Sequence, residues 1–222
     1  MKKFLMIAVS IAFGAILAGN AMAIPMVGDL AVDFRTADWA GADYQPFWTV
    51  GIVTATGLPQ GSLLYQDNVD GLGVRGGEPD EINNPERIQV DIAGGMFLSG
   101  LWLTDIFLSY ASGISPSENY TGSSPTGEPG RVILNGGAYS FDFYGIQANT
   151  GSAGLNGELY VDFGGSIFVT SALLSVLPDA SGSFANIEYS VAGFESVPEP
   201  TTMLLLGLGL AGLVGVRRKI RN

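Results

Sequence analysis

Tyr139-Ser140-Phe141-Asp142-Phe143-Tyr144 is the stretch that decides the fold. Aromatic rings at 139, 141 and 143 alternate with Ser140 and Asp142, so a strand here carries apolar groups on one face and polar groups on the other. Asn135-Gly136-Gly137 stands just before it as turn chemistry. Working outward, similar β-rich or alternating runs occur at 30–35, 47–56, 86–93, 101–110, 131–135, 158–163, 166–177 and 185–194. Gly, Asn, Pro and Ser clusters separate them, as at Asp179-Ala180-Ser181-Gly182, and no amphipathic crossover helix intervenes. The pattern predicts an all-β domain over 24–196, a single antiparallel β-sandwich of jelly-roll type. Trp39, Trp48 and Trp102 are assigned to its core, with a carbohydrate platform of exposed aromatics as the competing role. Residues 112–130, rich in Ser, Pro, Thr, Gly and Glu, read as an exposed loop between strands.

Composition removes most catalytic chemistry. The chain of 222 residues has no cysteine and no histidine, which excludes thiol catalysis, disulfides, the usual zinc sites, haem held by His and a Ser-His-Asp relay. The expectation is a protein that is not an enzyme. All 21 acids lie between Asp29 and Glu199, against four arginines (Arg35, Arg75, Arg87 and Arg131) and no lysine, a net charge of −17 for that region. Such a surface repels phosphate backbones, so nucleic acid is excluded as a partner, whereas cations are attracted.

Two motifs need weighing. Gly71-Leu72-Gly73-Val74-Arg75-Gly76 matches G-x-G-x-x-G, with Asp91 beyond it. Gly77-Glu78-Pro79-Asp80 follows, however, and does not open the helix that a dinucleotide site requires, so that reading is rejected. The same region crowds Asp67, Asn68, Asp70, Glu78, Asp80, Glu81, Asn83, Asn84 and Glu86 into one stretch. Ca²⁺ accepts 6–8 hard oxygen ligands in irregular loops, which makes Asp67, Asp70, Asp80 and Glu81 candidate calcium ligands and Ca²⁺ the one cofactor to consider. A solvated acidic turn is the simpler reading of these residues. Asp142 and Asp162, both on strands, are the pair through which a carboxylate-dependent glycosidase would have to act.

Both ends of the chain read as address labels. Lys2 and Lys3 precede an apolar run, Gly19 and Asn20 break it, and Ala21-Met22-Ala23 follows. That is the layout of a secretory signal peptide over 1–23, with Ala21 and Ala23 filling the shallow pockets of a signal peptidase and Ile24 as the new start. At the other end, 197–222 opens with Val197-Pro198-Glu199-Pro200, two prolines that keep the backbone extended and accessible. The apolar run Met203-Leu204-Leu205-Leu206-Gly207-Leu208-Gly209-Leu210-Ala211-Gly212-Leu213-Val214-Gly215-Val216 follows. With Thr201 and Thr202 it would make a helix of roughly 24 Å, a short transmembrane span that snorkelling arginines help to seat. Gly207, Ala211 and Gly215 fall on one face of it. Arg217, Arg218, Lys219 and Arg221 close the chain as a basic stop that holds this end on the cytoplasmic side.

The tripeptide Pro198-Glu199-Pro200, the Gly/Leu-rich run and the terminal arginines together resemble the PEP-CTERM sorting signal of Gram-negative bacteria. The resemblance implies recognition by an exosortase, a membrane-embedded, cysteine transpeptidase-like enzyme that cuts near the tripeptide. It further implies an inner-membrane intermediate and delivery to the cell surface or extracellular polysaccharide matrix. The expected function is a structural or adhesive exported body, with exopolysaccharide as a candidate partner. The alternatives are an exported carbohydrate-binding or polysaccharide-acting protein, and a permanently membrane-anchored periplasmic one.

Overall fold

The structure, a computed structural model, describes residues 24–76, 81–110, 127–145, 147–149, 157–179, 182, 184 and 187–196. Among these the chain forms β1 (Val32–Asp33), β2 (Phe47–Val50), β3 (Val53–Leu58), β4 (Leu63–Asp67), β5 (Gly71–Arg75) and β6 (Arg87–Thr104). After these come β7 (Phe107–Tyr110), β8 (Pro129–Leu134), β9 (Tyr139–Tyr144), β10 (Gln147–Asn149), β11 (Leu159–Val176) and β12 (Ser190–Glu195). Among the described residues, helix is confined to 3₁₀ turns at Ala37–Ala42 and Asn135–Gly137. The all-β, antiparallel expectation is met. The nearly complete ladder explains why β-branched and aromatic runs prevail.

Ten strands form one sheet in the order β4-β5-β12-β6-β11-β8-β9, with β1 beside β12 and the β2–β3 hairpin beside β6. A separate parallel pair, β7 with β10, is the one departure from antiparallel pairing among the described strands. The ladder therefore does not divide into the two separate sheets of a jelly-roll sandwich. The physical reason is that β6 and β11, each 18 residues long, pair with each other along their length and change neighbours halfway. The first half of β6 pairs with β3, from Arg87 opposite Leu58 to Ile92 opposite Val53. Its second half pairs with β12, from Gly100 opposite Glu195 to Thr104 opposite Ser190. β8 likewise takes only the last part of β11, from Ala172 to Val176.

The bend between the halves is made by glycine. Gly94 and Gly95 in β6 and Gly164 and Gly165 in β11 all have positive φ, and the ladder register shifts once across each pair. The Asp162 carboxylate accepts a hydrogen bond from Gly164 N–H at 2.8 Å, and the Asn135 side chain spans Phe168 O and Thr170 N. One apolar cluster takes residues from both halves: Ile88, Val90 and Ile92 from the first arm of β6, Leu101 and Leu103 from the second. Several sequence-predicted strands need redrawing. Residues 47–56 are a hairpin turning at Gly51 and Ile52, 101–110 breaks at Asp105 (φ +56°), and 158–163 with 166–177 are one bent strand. Trp39 and Trp102 are buried, and Trp48, half-buried, packs against the core and donates to Asp38 O at 3.1 Å. Of the expected 112–130 loop, residues 112–126 lie outside the described residues.

Gly94→Ala is expected to cost roughly 1–2 kcal/mol although the added methyl meets open space, because only the positive φ is at stake. Leu101→Ala, in the fully buried core, is expected to cost about 2–5 kcal/mol. Urea unfolding of the two variants checks both values.

Candidate functional site

The two ends of the body meet at one corner. The second half of β6 is covered on both faces: Leu101 and Leu103 face the main core, and Trp102 enters a small cluster with Leu30 and Ala192. Ile24 and Tyr160 pack against that cluster from outside, and the Tyr160 ring lies 5.0 Å from that of Trp102. Trp102 Nε1 donates to the Glu195 carboxylate at 3.3 Å, and Ser99 Oγ donates to Glu195 O at 3.3 Å. Burial pushes the Tyr160 hydroxyl above its usual range, opposed by its hydrogen bond with Ser99. Ile24 N–H donates to Glu158 Oε2 at 3.4 Å. The strip that follows is held by Arg35, whose guanidinium donates to Pro25 O at 3.0 Å and Met26 O at 3.4 Å. Arg35 is itself buried against Asp33, at 2.8 Å.

The predicted calcium ligands fall into different roles. Asp67 ends β4, and its Oδ1 accepts the backbone N–H of Val69 at 2.6 Å and of Asp70 at 3.2 Å, closing the β4–β5 turn. Asp70 O accepts from Thr104 Oγ1 at 2.7 Å, and Glu81 O accepts from Val74 N–H at 3.0 Å. Asp80 lies outside the described residues. Among the described residues no group of three or more His, Cys, Asp or Glu side chains is arranged to hold a metal ion. The G-x-G-x-x-G letters are β5, paired with β4 along its length and with β12 at Leu72 opposite Val191. A strand presents no row of amides to a pyrophosphate, which agrees with rejecting the dinucleotide reading.

The two strand aspartates are each engaged separately. Asp142 on β9 forms a two-pronged pair with Arg131 on β8, Nε to Oδ1 at 2.5 Å and Nη2 to Oδ2 at 2.8 Å, and that hydrogen-bonded pair holds its carboxyl below the usual range. Asp162, opposite Gly100 on the β6–β11 ladder, serves the glycine bend. Two clefts, of about 200 Å³ beside Leu30, Asp33 and Trp39 and about 220 Å³ beside Glu86 and Phe184, are smaller than the ~300 Å³ at which ligand pockets usually begin.

Sequence reasoning missed two features. One is the β4–β5 hairpin, whose turn letters Asp67-Asn68-Val69-Asp70-Gly71 were the available signal. The other is Glu128, almost wholly buried, whose Oε2 accepts Phe107 N–H at 2.5 Å. Burial pushes its carboxyl well above the usual range, Phe107 N–H opposes this, and the neighbouring Glu188 and Asp105 add to it. No local pattern marks it, because its environment is assembled from distant strands. Large side chains also stand on the surface: Phe97 and Phe168, directly opposite each other at the bend with rings 5.2 Å apart, and Phe47, Tyr139 and Tyr144. Tyr44 is exposed too, with the Arg75 guanidinium 3.7 Å from its ring centroid.

Residues 196–219 match the family model of the PEP-CTERM protein-sorting motif. The match takes in Val197, Pro198, Glu199, Pro200, the apolar run and the start of the basic stop, and marks the chain as an exported bacterial protein sorted by an exosortase. No curated protein and no solved structure matches the chain. The motif residues, and Ala21 and Ala23 at the other end, lie outside the described residues. Among the described residues no helix is long and apolar enough to cross a membrane.

Glu128 predicts a pH dependence. Its folded-state pKa exceeds the unfolded one, so above about pH 4.5 the folded state holds the extra proton, and stability falls as pH rises toward the folded pKa. The thermal midpoint of the wild type, referred to Glu128→Gln at each pH, is expected to fall between mildly acidic and neutral pH. Calorimetry across that window checks the sign.

Proposed function

We propose that this chain is a non-enzymatic surface or matrix protein, delivered by its sorting tail and acting through a structural or adhesive β-body. The observation that carries the reading is the PEP-CTERM match at 196–219, which begins one residue after β12 ends at Glu195. The tail joins the body at a strand bonded into the sheet on both sides. Removing it near Pro198-Glu199-Pro200 would leave the described ladder whole. The N-terminal leader would depart from the same corner, where Ile24 packs on Trp102. A precursor held by both labels would hang from the membrane by that corner, its acidic body outside.

The body is sandwich-like in that its two arms enclose one core. Its contribution is to bind and to fill space. Asp142 and Asp162 are taken up by Arg131 and by the bend, which favours a protein without turnover over a glycosidase. The exposed pair Phe97 and Phe168 supports adhesion to polysaccharide, since aromatic rings bury the apolar faces of sugars while a polar surround stays wet. Calcium has no support in the described side chains beyond the abundance of acids.

Mass spectrometry of the protein from the surface fraction is expected to find Ile24 at the start and the chain ending near Pro198-Glu199-Pro200. A chain still ending at Asn222 would favour the permanently anchored alternative. Incubation with the producing organism's exopolysaccharide is expected to release no reducing sugar. Phe97→Ala with Phe168→Ala is expected to weaken co-sedimentation with that polymer several-fold at unchanged thermal midpoint.

A further inference from the structure

We infer that Glu158 is the receptor for the chain's own new N-terminus: cleavage after Ala23 turns the Ile24 nitrogen into an ammonium that pairs with the Glu158 carboxylate and locks the N-terminal strip onto the body. The inference rests on the reading that the chain is exported and its leader removed at that bond. In the uncleaved chain Ile24 N is an amide, with one hydrogen to give, and it lies 3.4 Å from Glu158 Oε2. Hydrolysis by the signal peptidase breaks the Ala23–Ile24 peptide bond. Water supplies hydroxyl to the Ala23 carboxyl group and hydrogen to the Ile24 nitrogen, and the amine takes up a proton at neutral pH. The same nitrogen then carries a positive charge and three donors at a place where a carboxylate already stands. An ion pair charged on both sides replaces a hydrogen bond charged only at its acceptor.

The site is built to keep that nitrogen in place. The Ile24 side chain packs against the Leu30, Trp102 and Ala192 cluster. One residue on, Pro25 O is fixed by Arg35, and Gly28 N–H donates to Asp33 Oδ2 at 2.7 Å. Among the described residues, the charged and titratable groups around the corner include Glu158 ahead of β11, Tyr160 and Asp162 on β11, Glu195 on β12, and the pair of Asp33, which ends β1, with Arg35. Glu158 and Glu195 add negative potential. The cation among these groups, Arg35, is paired with Asp33. The ammonium therefore enters an acidic corner with its carboxylate partner already positioned, and processing adds a positive charge to a contact that the precursor makes as an amide.

The lysine-free body makes the test selective. Once the leader with Lys2 and Lys3 is gone, the only amines are the Ile24 nitrogen and Lys219, and the latter leaves with the tail. The protein is purified after export, its N-terminus read by mass spectrometry, and its amines ¹³C-dimethylated and titrated by NMR. A free α-amine titrates near about 7.7–8.0. In the wild type the Ile24 amine is expected at least half a unit higher, in Glu158→Gln back at the ordinary value, and in Asp142→Asn unchanged from wild type. A chain with one extra alanine ahead of Ile24 keeps Glu158 and moves the charge away, so its amine is also expected at the ordinary value, whether or not Glu158→Gln folds. Because the folded pKa is raised, the added stability is present below about pH 7.7 and is lost as pH climbs through the folded value. Equal amine pKa values in the wild type and the extended chain, with Ile24 as the proven start, would overturn the pairing and leave the export reading standing. A chain that begins elsewhere overturns both the cleavage position and the pairing.

Discussion

The β6–β11 ladder is the constraint on which the rest depends. Two strands of 18 residues each stay paired through a bend, and every other strand of the main sheet attaches directly or in turn to one arm or the other. A flat sheet of that length would leave one face wet. Bending at Gly94-Gly95 and Gly164-Gly165 lets Ile88, Val90 and Ile92 share one interior with Leu101, Leu103 and Val161. Glycine is needed because the turn demands positive φ at successive residues, where a side chain is strained even with space around it. The same bend leaves Phe97 and Phe168 facing outward as a cross-strand pair, so the surface aromatics follow from how the core is closed.

Burial of both faces of the second arm has a different consequence. Where Trp102 turns away from the main core it needs a cover, and Leu30 and Ile24 provide it. The N-terminal strip is thus part of the packing, although only two residues of β1 enter the ladder. β12, on the other side of Trp102, is buried from Ser190 through Phe194. The corner then needs polar groups to satisfy the indole N–H and the Ile24 amide, and Glu195 and Glu158 meet those needs. Acidic residues are the economical choice in a body with no lysine. They accept from donors already present and ask for no cation in return.

Much of this was legible from residue order, and the parts that were not share a cause. Period-two alternation found the strands around Tyr139–Tyr144 and 86–93 because each has one face in the core and one in water, the condition that alternation reports. It failed at β5, which is buried on both faces and reads as an unpatterned Gly/Leu/Val run. The oxygen-rich letters 67–71 suggested metal ligands, whereas Asp67 spends its carboxylate on the amides of a tight turn, a use for which the same residue types are selected. Asp142 on the polar face of β9 was read correctly in direction, but its partner Arg131 follows from the β8–β9 register, which composition does not contain. The Trp102 corner was out of reach for the same reason: Ile24, Glu158 and Glu195 are far apart in sequence, and only the ladder brings them together.

The sorting motif and the body are adjacent in the chain and do not overlap. The match at 196–219 begins where the last strand stops, and the hydrogen bonds that hold Glu195 come from Ser99 and Trp102 within the body. Proline lacks the amide hydrogen that a continuing strand would donate, so Pro198 and Pro200 are poor ladder residues by their chemistry. On the proposed reading, a cut at the tripeptide would remove the address without unzipping the domain it addresses, because the match begins one residue later than the final strand.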